Sequence, residues 1–198
     1  MPSPPSTPVD LLQALSSVLG SLQLRWYVFG AQAVVIWGRP RMTADVDVTV
    51  RLQDVAAGTL VRELEGAGFT LRIAPDAGVI EATRVLPCFH EPSGFALDVV
   101  LAGPGLEESF LDRAVQVDLG GVIVPVIAPG DLIVTKMLAG RPKDIEDVRG
   151  ILLERLPELD IQAICTTLAL VEAALGQSDL SPAFEAELER VQLMRRRR

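Results

Sequence analysis

The clearest signal in the chain is a strict alternation of polar and apolar positions over ADVDVTV, residues 44–50. Val46, Val48 and Val50 fall on one face and Asp45, Asp47 and Thr49 on the other, the period of a strand with one buried side. Just upstream, LRWYVF (24–29) reads as a buried strand, which Gly30 turns into a helix over 31–37 that GRPR breaks. Before these, Asp10 is placed to cap a helix reaching about Leu19 and ended by Gly20. Asp54 opens a helix to about Gly66, with Leu60, Val61 and Leu64 as its apolar stripe.

Two strands are expected near 79–89 and 95–101, joined by the turn EPSG. LEESFLDRA (106–114) has a helical pattern, and VQVDL and VIVPVI form a hairpin over Gly120-Gly121. Asp131 precedes the helix LIVTKMLA as a cap, and Pro142 suits the first turn of the next helix. From Asp160 onward the pattern is purely helical: Ile161, Ile164, Leu168, Val171 and Leu175 stand at core spacing, and Ser181-Pro182 starts a last helix. The pattern thus predicts a Pro- and Ser-rich disordered start over 1–8, an α/β or α+β domain over 9–155, and a helical extension over 156–198.

Composition narrows the class without changing this outline. Apolar residues make up 49% and charged residues 22% of 198 residues, the range of a globular protein with a sizeable core. No basic residue precedes an apolar run at the N-terminus and no apolar stretch is long enough to span a bilayer, so the expected location is cytoplasmic and off the membrane. The two cysteines, Cys88 and Cys165, sit in apolar surroundings and are expected as buried free thiols. A net charge of -8 argues against a broad nucleic-acid surface. The terminal RRRR run is the one strong basic cluster and reads as a solvated tail.

The chemistry begins with the acidic strand. Alternate residues of a strand project from one face, roughly 6.5 to 7 Å apart, so Asp45 and Asp47 can reach one cation from the same side. Carboxylates are hard ligands suited to magnesium, which also binds substrate phosphates, and two such ions roughly 3.5–4 Å apart clamp an in-line phosphoryl displacement. Asp-x-Asp alone is a weak signal, since an exposed edge strand explains it equally. Asp98 adds weight: it lies in the apolar run FALDVVLAG, where an ionised carboxylate is costly unless it is paired or metal-bound. A metal role, with receipt of a proton from an attacking hydroxyl, competes with a simple Arg partner or a strand end. Gly30 stands at a strand-to-helix junction, where free amides and the helix dipole favour a phosphate and no β-carbon intervenes.

The order strand, Gly, helix, Asp-x-Asp strand resembles the polymerase-β-like nucleotidyltransferase superfamily, with Gly30-Ala31 in place of its Gly-Gly or Gly-Ser pair and Asp98 as the third carboxylate. The chain is also similar to small bacterial AbiEii-like nucleotidyltransferases of toxin–antitoxin and abortive-infection systems. These carry GRPRxTxDID, here GRPRMTADVD, and DLIxxKLLAGRPKDxxDV, here DLIVTKMLAGRPKDIEDV over 131–148. Ala31 keeps the backbone N–H of the family's second position and removes any hydroxyl contact to phosphate.

The resemblance implies a nucleotidyltransferase fold with a mixed β-sheet flanked by helices, followed by the helical extension. It implies an enzyme with two Mg2+ ions on Asp45, Asp47 and Asp98 and an NTP donor. The nucleoside monophosphate would move to an acceptor hydroxyl: an RNA 3′ end such as that of a tRNA, a partner protein, or a small molecule such as an aminoglycoside. A cognate toxin or antitoxin partner and a homodimer fit the same group. The alternative is a catalytically weak binding module acting as antitoxin or regulator.

Around the donor, the resemblance points to the amides of Gly30 and Ala31 and to Arg41, Thr43, Lys136 and Lys143. Each has a plainer reading beside it. Arg41 can be a solvated loop residue and Thr43 can bond its own backbone. Lys143 can form a surface ion pair with Asp147, four residues on. Lys136, in an otherwise apolar helix turn, must snorkel or meet an anion, and the resemblance favours a nucleotide phosphate or a carboxylate of the metal site. His90, the only histidine, falls beside a turn and is expected to be exposed, while Trp26 and Trp37 are expected in the core.

Overall fold

In the computed structural model, the described residues are 7–39, 43, 45–72, 80 and 82–197. They form two compact units, one from residues 1–32 with 42–127 and the other from 33–41 with 128–198. The division from the sequence pattern falls at about 155, after two of the helices that the second unit contains.

The first unit is built on a sheet. Its strands are β1 (Arg25–Phe29), β2 (Asp45–Arg51), β3 (Phe69–Leu71), β4 (Val85–His90), β5 (Phe95–Leu101), β6 (Val115–Asp118) and β7 (Ile123–Val126). The order is β3-β4-β5-β2-β1-β7-β6. β2 runs parallel to β5 and β1 parallel to β7, while the other pairs are antiparallel. The sheet is therefore mixed, as expected, with β2 and β5 well inside it. Val46, Val48, Val50, Leu97 and Val99 are fully buried, which is the apolar half of the alternation that marked β2.

Helices α1 (Pro8–Ser21) and α3 (Ala57–Gly66) pack together, and α4 (Leu106–Arg113) packs on β1. The cap of α1 is Thr7, with Asp10 at the third helical position returning a bond to the Thr7 N–H at 2.8 Å, a capping box. Asp10 was expected as the cap itself. Similarly α3 starts after Ala56, with Asp54 in the preceding turn. The strand expected from 79 starts at Val85, because Ile80, Ala82 and Thr83 are helical. The 120–121 hairpin is as expected: both glycines have positive φ, 71° and 97°, which the tight two-residue turn demands.

Helix α2 (Gly30–Trp37) begins in the first unit and ends in the second. The second unit also holds α5 (Pro129–Ala139), α6 (Pro142–Arg155), a 3-10 turn at Leu156–Glu158, α7 (Ile161–Leu175) and α8 (Leu180–Arg196). α5 packs against α6, α7 and α8 around Leu132, Ile133, Ile151, Leu152, Leu168 and Phe184, all fully buried. Asp160 caps α7 as expected, its Oδ1 accepting from the Ala163 N–H at 2.9 Å. Ala128 rather than Asp131 precedes α5. Leu175 is 57% exposed, so the apolar stripe of α7 closes at Val171. Arg149 and Glu187 pin α6 to α8 through two bonds of 2.8 and 3.1 Å.

Candidate active site

Three residues singled out from the sequence converge on one row of the sheet. Asp47 of β2 pairs with Phe29 of β1 on one side and with Asp98 of β5 on the other. Paired positions of neighbouring strands point to the same face, so the two carboxylates are side by side. Asp45, two positions earlier on β2, shares that face and is exposed. Gly30 follows Phe29 directly, at φ +61°, and an added β-carbon there would overlap the Asp47 carboxylate and lie 2.7 Å from its Cγ. Glycine is required at this position twice over, for the backbone angle and for the space. Ala31 provides the next amide of the first turn of α2, where N–H groups lack helical acceptors.

Asp98 does not stand as a lone carboxylate in a core. Its side chain is 36% exposed and pairs with Arg72, whose Nη2 donates to Asp98 Oδ1. Arg72 lies one residue past β3, and its N–H donates to Pro87 O at 2.8 Å. Pro87 is the β4 partner of Asp98, so the guanidinium reaches across β4. The desolvation that pointed to Asp98 as a metal ligand is thus met in part by an arginine. Arg72 was not singled out from the sequence: the three-residue strand that delivers it is too short to show a period.

The donor chemistry of this face fits the magnesium that the fold family implies. It offers hard oxygens on one side of the sheet, two of them register neighbours, beside a backbone cleared of a β-carbon. Among the described residues, no three His, Cys, Asp or Glu side chains already stand close enough to hold an ion. The nearby Cys88 thiol is pushed up to about 12, by burial first, with the Asp98 and Glu65 carboxylates adding to the rise and Arg72 opposing it. It stays protonated and is no nucleophile. Cys88 and Cys165 are both free.

The remaining candidates are placed differently. Arg41 lies outside the described residues. Thr43 bonds locally, its hydroxyl donating to Asp45 O at 3.2 Å. Lys143 is exposed on the first turn of α6. Lys136 is buried, and its Nζ donates to Asp144 Oδ1 at 3.0 Å and Asp147 Oδ2 at 2.8 Å. The carboxylates it meets are those of α6, where the resemblance implied a phosphate or a carboxylate of the metal site. Arg141 adds a bond from Nε to Asp144 Oδ2 at 2.5 Å. Burial would raise the Asp144 carboxyl, but the hydrogen bonds from Arg141 and Lys136 outweigh it and hold the group below its ordinary range.

His90 is also corrected. It is buried rather than exposed, with Nδ1 2.7 Å from Ser93 Oγ and its ring 4.4 Å from that of Phe69. Its apolar surroundings lower its basicity. Trp26 is buried as expected, while Trp37 is half-buried with Arg155 5.5 Å above its ring. In the helical unit a cleft of about 330 Å³ is lined by Val34, Arg39, Asp147 and Arg149 among others. Arg149 there is already held by Glu187 and Asp147 by Lys136.

A family model described as nucleotidyltransferase of unknown function (DUF6036) matches residues 9–174. The chain belongs to this nucleotidyltransferase family. Solved structures of similar fold include an antigenic nucleotidyltransferase-like protein from Paracoccidioides brasiliensis, at TM-score 0.54 and 18% identity over 93% of this chain and 95% of that one. ANT(2")-Ia in complex with adenylyl-2"-tobramycin matches at TM-score 0.52 and 17% identity, covering 91% and 98%. The lincomycin-bound lincosamide antibiotic adenylyltransferase LnuA matches at 0.51 and 13%, covering 75% and 98%. At these identities the likeness is one of fold. No curated protein matches the chain in sequence. No helix among the described residues of this nucleotidyltransferase is long and apolar enough to cross a membrane.

Proposed function

We propose that this nucleotidyltransferase moves the nucleoside monophosphate of an NTP, with magnesium, onto a hydroxyl of a small organic acceptor. The observation that carries the reading is the pairing of Asp47 with Asp98, two carboxylates in register, beside Gly30, whose missing side chain makes room for the Asp47 carboxylate at a helix start. Asp45, Asp47 and Asp98 are the residues to hold magnesium, which when bound neutralises the charge of the phosphates. The amides of Gly30 and Ala31 receive the triphosphate.

In the transfer the acceptor oxygen bonds to the α-phosphorus, the bond from that phosphorus to the α,β-bridging oxygen breaks, and pyrophosphate leaves. The acceptor proton passes to the Asp98 carboxylate. The protein's contribution is positioning and charge, as in phosphoryl transfer generally.

A small acceptor is favoured over RNA by the net charge of -8 and by the fold likeness to antibiotic adenylyltransferases across most of their length. The test is incubation with magnesium and α-labelled NTPs in separate arms holding aminoglycosides, lincosamides, total RNA and cell protein. Label on a small molecule is the expected result. Label on RNA or protein alone would move the acceptor to that class, including a toxin–antitoxin partner. Label nowhere, with no NTP-dependent shift in Tm, would sink the enzymatic reading.

One observation favours a second reading. Arg72 occupies Asp98, as suits a binding module that regulates a partner without turnover. Calorimetric titration of magnesium and ATP into wild type and Asp47→Ala separates the two, since weak equal binding in both supports the module.

A further inference from the structure

We infer that Arg72 is a donor-phosphate ligand held in reserve by Asp98: it pairs with that carboxylate while the site is empty and passes to the triphosphate when Asp98 takes a cation. This rests on the magnesium-dependent reading of the site and adds a residue to it.

The case begins with the row of paired positions. Asp98 lies between Asp47 on β2 and Pro87 on β4, and the backbone of Arg72 is bonded to Pro87. The guanidinium therefore stands at the same face as Asp47 and Asp98, on the opposite side of Asp98 from Gly30. Its anchoring is through the main chain, so the side chain can change partner without any strand moving.

The pair is also inexpensive to exchange. Arg72 and Asp98 side chains are 41% and 36% exposed, and an ion pair in such contact with solvent contributes little to stability. A divalent ion on Asp98 replaces a monovalent partner with a stronger one. The guanidinium then loses its carboxylate at the moment a triphosphate, the substrate with the highest negative charge, occupies the same face. Arginine matches phosphate with paired N–H groups, and no covalent change is needed.

The exchange has a signature that a surface ion pair lacks. Replacing Arg72 frees Asp98, so metal alone should bind more tightly, while nucleotide should bind more weakly because a phosphate ligand is gone. The test measures Mn2+ binding by electron paramagnetic resonance, and then binding of the α,β-methylene analogue of each NTP at saturating Mn2+. It uses full-length wild type, Arg72→Gln and Arg72→Lys, with Arg25→Gln, which breaks the exposed Arg25–Asp112 pair of the same unit, as control.

For Arg72→Gln we expect Mn2+ affinity to rise about threefold, the effect of freeing an exposed ion pair, and analogue affinity to fall about tenfold, the effect of one charge-assisted hydrogen bond. Arg72→Lys should lie between, and Arg25→Gln should match wild type. Both affinities unchanged, or both moving in the same direction, overturns the exchange while leaving the proposed activity standing if wild type binds analogue. Wild type binding no analogue at any Mn2+ concentration overturns the activity and the exchange together.

Discussion

The α-carbon of Gly30 lies against the carboxylate of Asp47, so close that a β-carbon at position 30 would overlap it. A strand-to-helix turn and an acidic strand are thereby fixed to each other by the absence of a side chain. Gly30→Ala should impose two separable penalties. The left-handed angle costs about 1–2 kcal/mol in stability, and the overlap must push Asp47 aside. Gly94 has a similar φ, +71°, with open space around it, so Gly94→Ala should show only the first. Chemical denaturation of both variants, with Mn2+ titration, distinguishes them: metal binding is expected to fail only in Gly30→Ala.

Asp47→Asn and Asp98→Asn each keep the shape of the row and remove a charge. Label transfer in the assay above should fall on the order of 100-fold or more in each. Folding, followed by circular dichroism, should stay intact because both side chains are partly solvated. A variant with near wild-type transfer would remove that carboxylate from the reaction.

Lys136 bonds two buried carboxylates, and removing it takes a positive charge from both. Lys136→Met should cost about 3–5 kcal/mol of unfolding free energy. The double variant Lys136→Met, Asp147→Leu should recover part of this, because Asp144 keeps Arg141. The pH dependence has a definite sign. Asp144 is held below its ordinary 3.8, so its contribution is complete above that value and is lost as pH falls through the lower folded value. Urea midpoints between pH 5 and 2.5, wild type against Asp144→Asn, measure this.

His90 also loses stability as pH falls, but the cause is burial itself rather than hydrogen bonding. Burial lowers its folded value below the ordinary 6.5, so the unfolded chain binds the proton more readily. Stability is full above 6.5 and declines as pH falls below it. His90→Phe should flatten the stability profile in that interval, measured as urea midpoints from pH 7.5 to 5.

Cys88 is buried and its thiol is raised to about 12. It should resist an aromatic disulfide reagent at pH 8 in the native protein and react fully in denaturant. Mass spectrometry of the modified peptides reads this directly. Rapid native modification of Cys88 would contradict its burial.

The parts of the fold that were legible in the sequence are those where one face is buried along a full element. β2 declared itself because Val46, Val48 and Val50 go inward while the positions between them do not. The 120–121 hairpin was legible from its two glycines, which few other residues replace at positive φ. Helix starts were harder, since an acid at the third helical position and an acid at the cap are alike as letters. Asp10 occupies the former and Asp160 the latter.

What was hidden shares a cause. β3 has three residues, too few for any period, and it carries Phe69 to His90 and leads into Arg72. With that strand unseen, His90 looked like an exposed turn residue, and an Arg partner for Asp98 was one reading with no particular arginine to carry it. Lys136 showed its need for an anion plainly. The identity of that anion depended on the turn at Gly140, φ +62°, which brings Asp144 and Asp147 back to it.

The parallel pairing of β2 with β5 has a consequence for how the protein is made. Nothing local holds Asp47 beside Asp98; position 47 must find position 98 across a stretch that includes α3, β3 and β4. Such long-range closure is slow compared with helix formation, so the helical elements of a nascent chain can form before the two carboxylates meet. On the proposed function, nucleotide binding would then come late in synthesis, and its appearance in a refolding experiment would time the closing of the sheet.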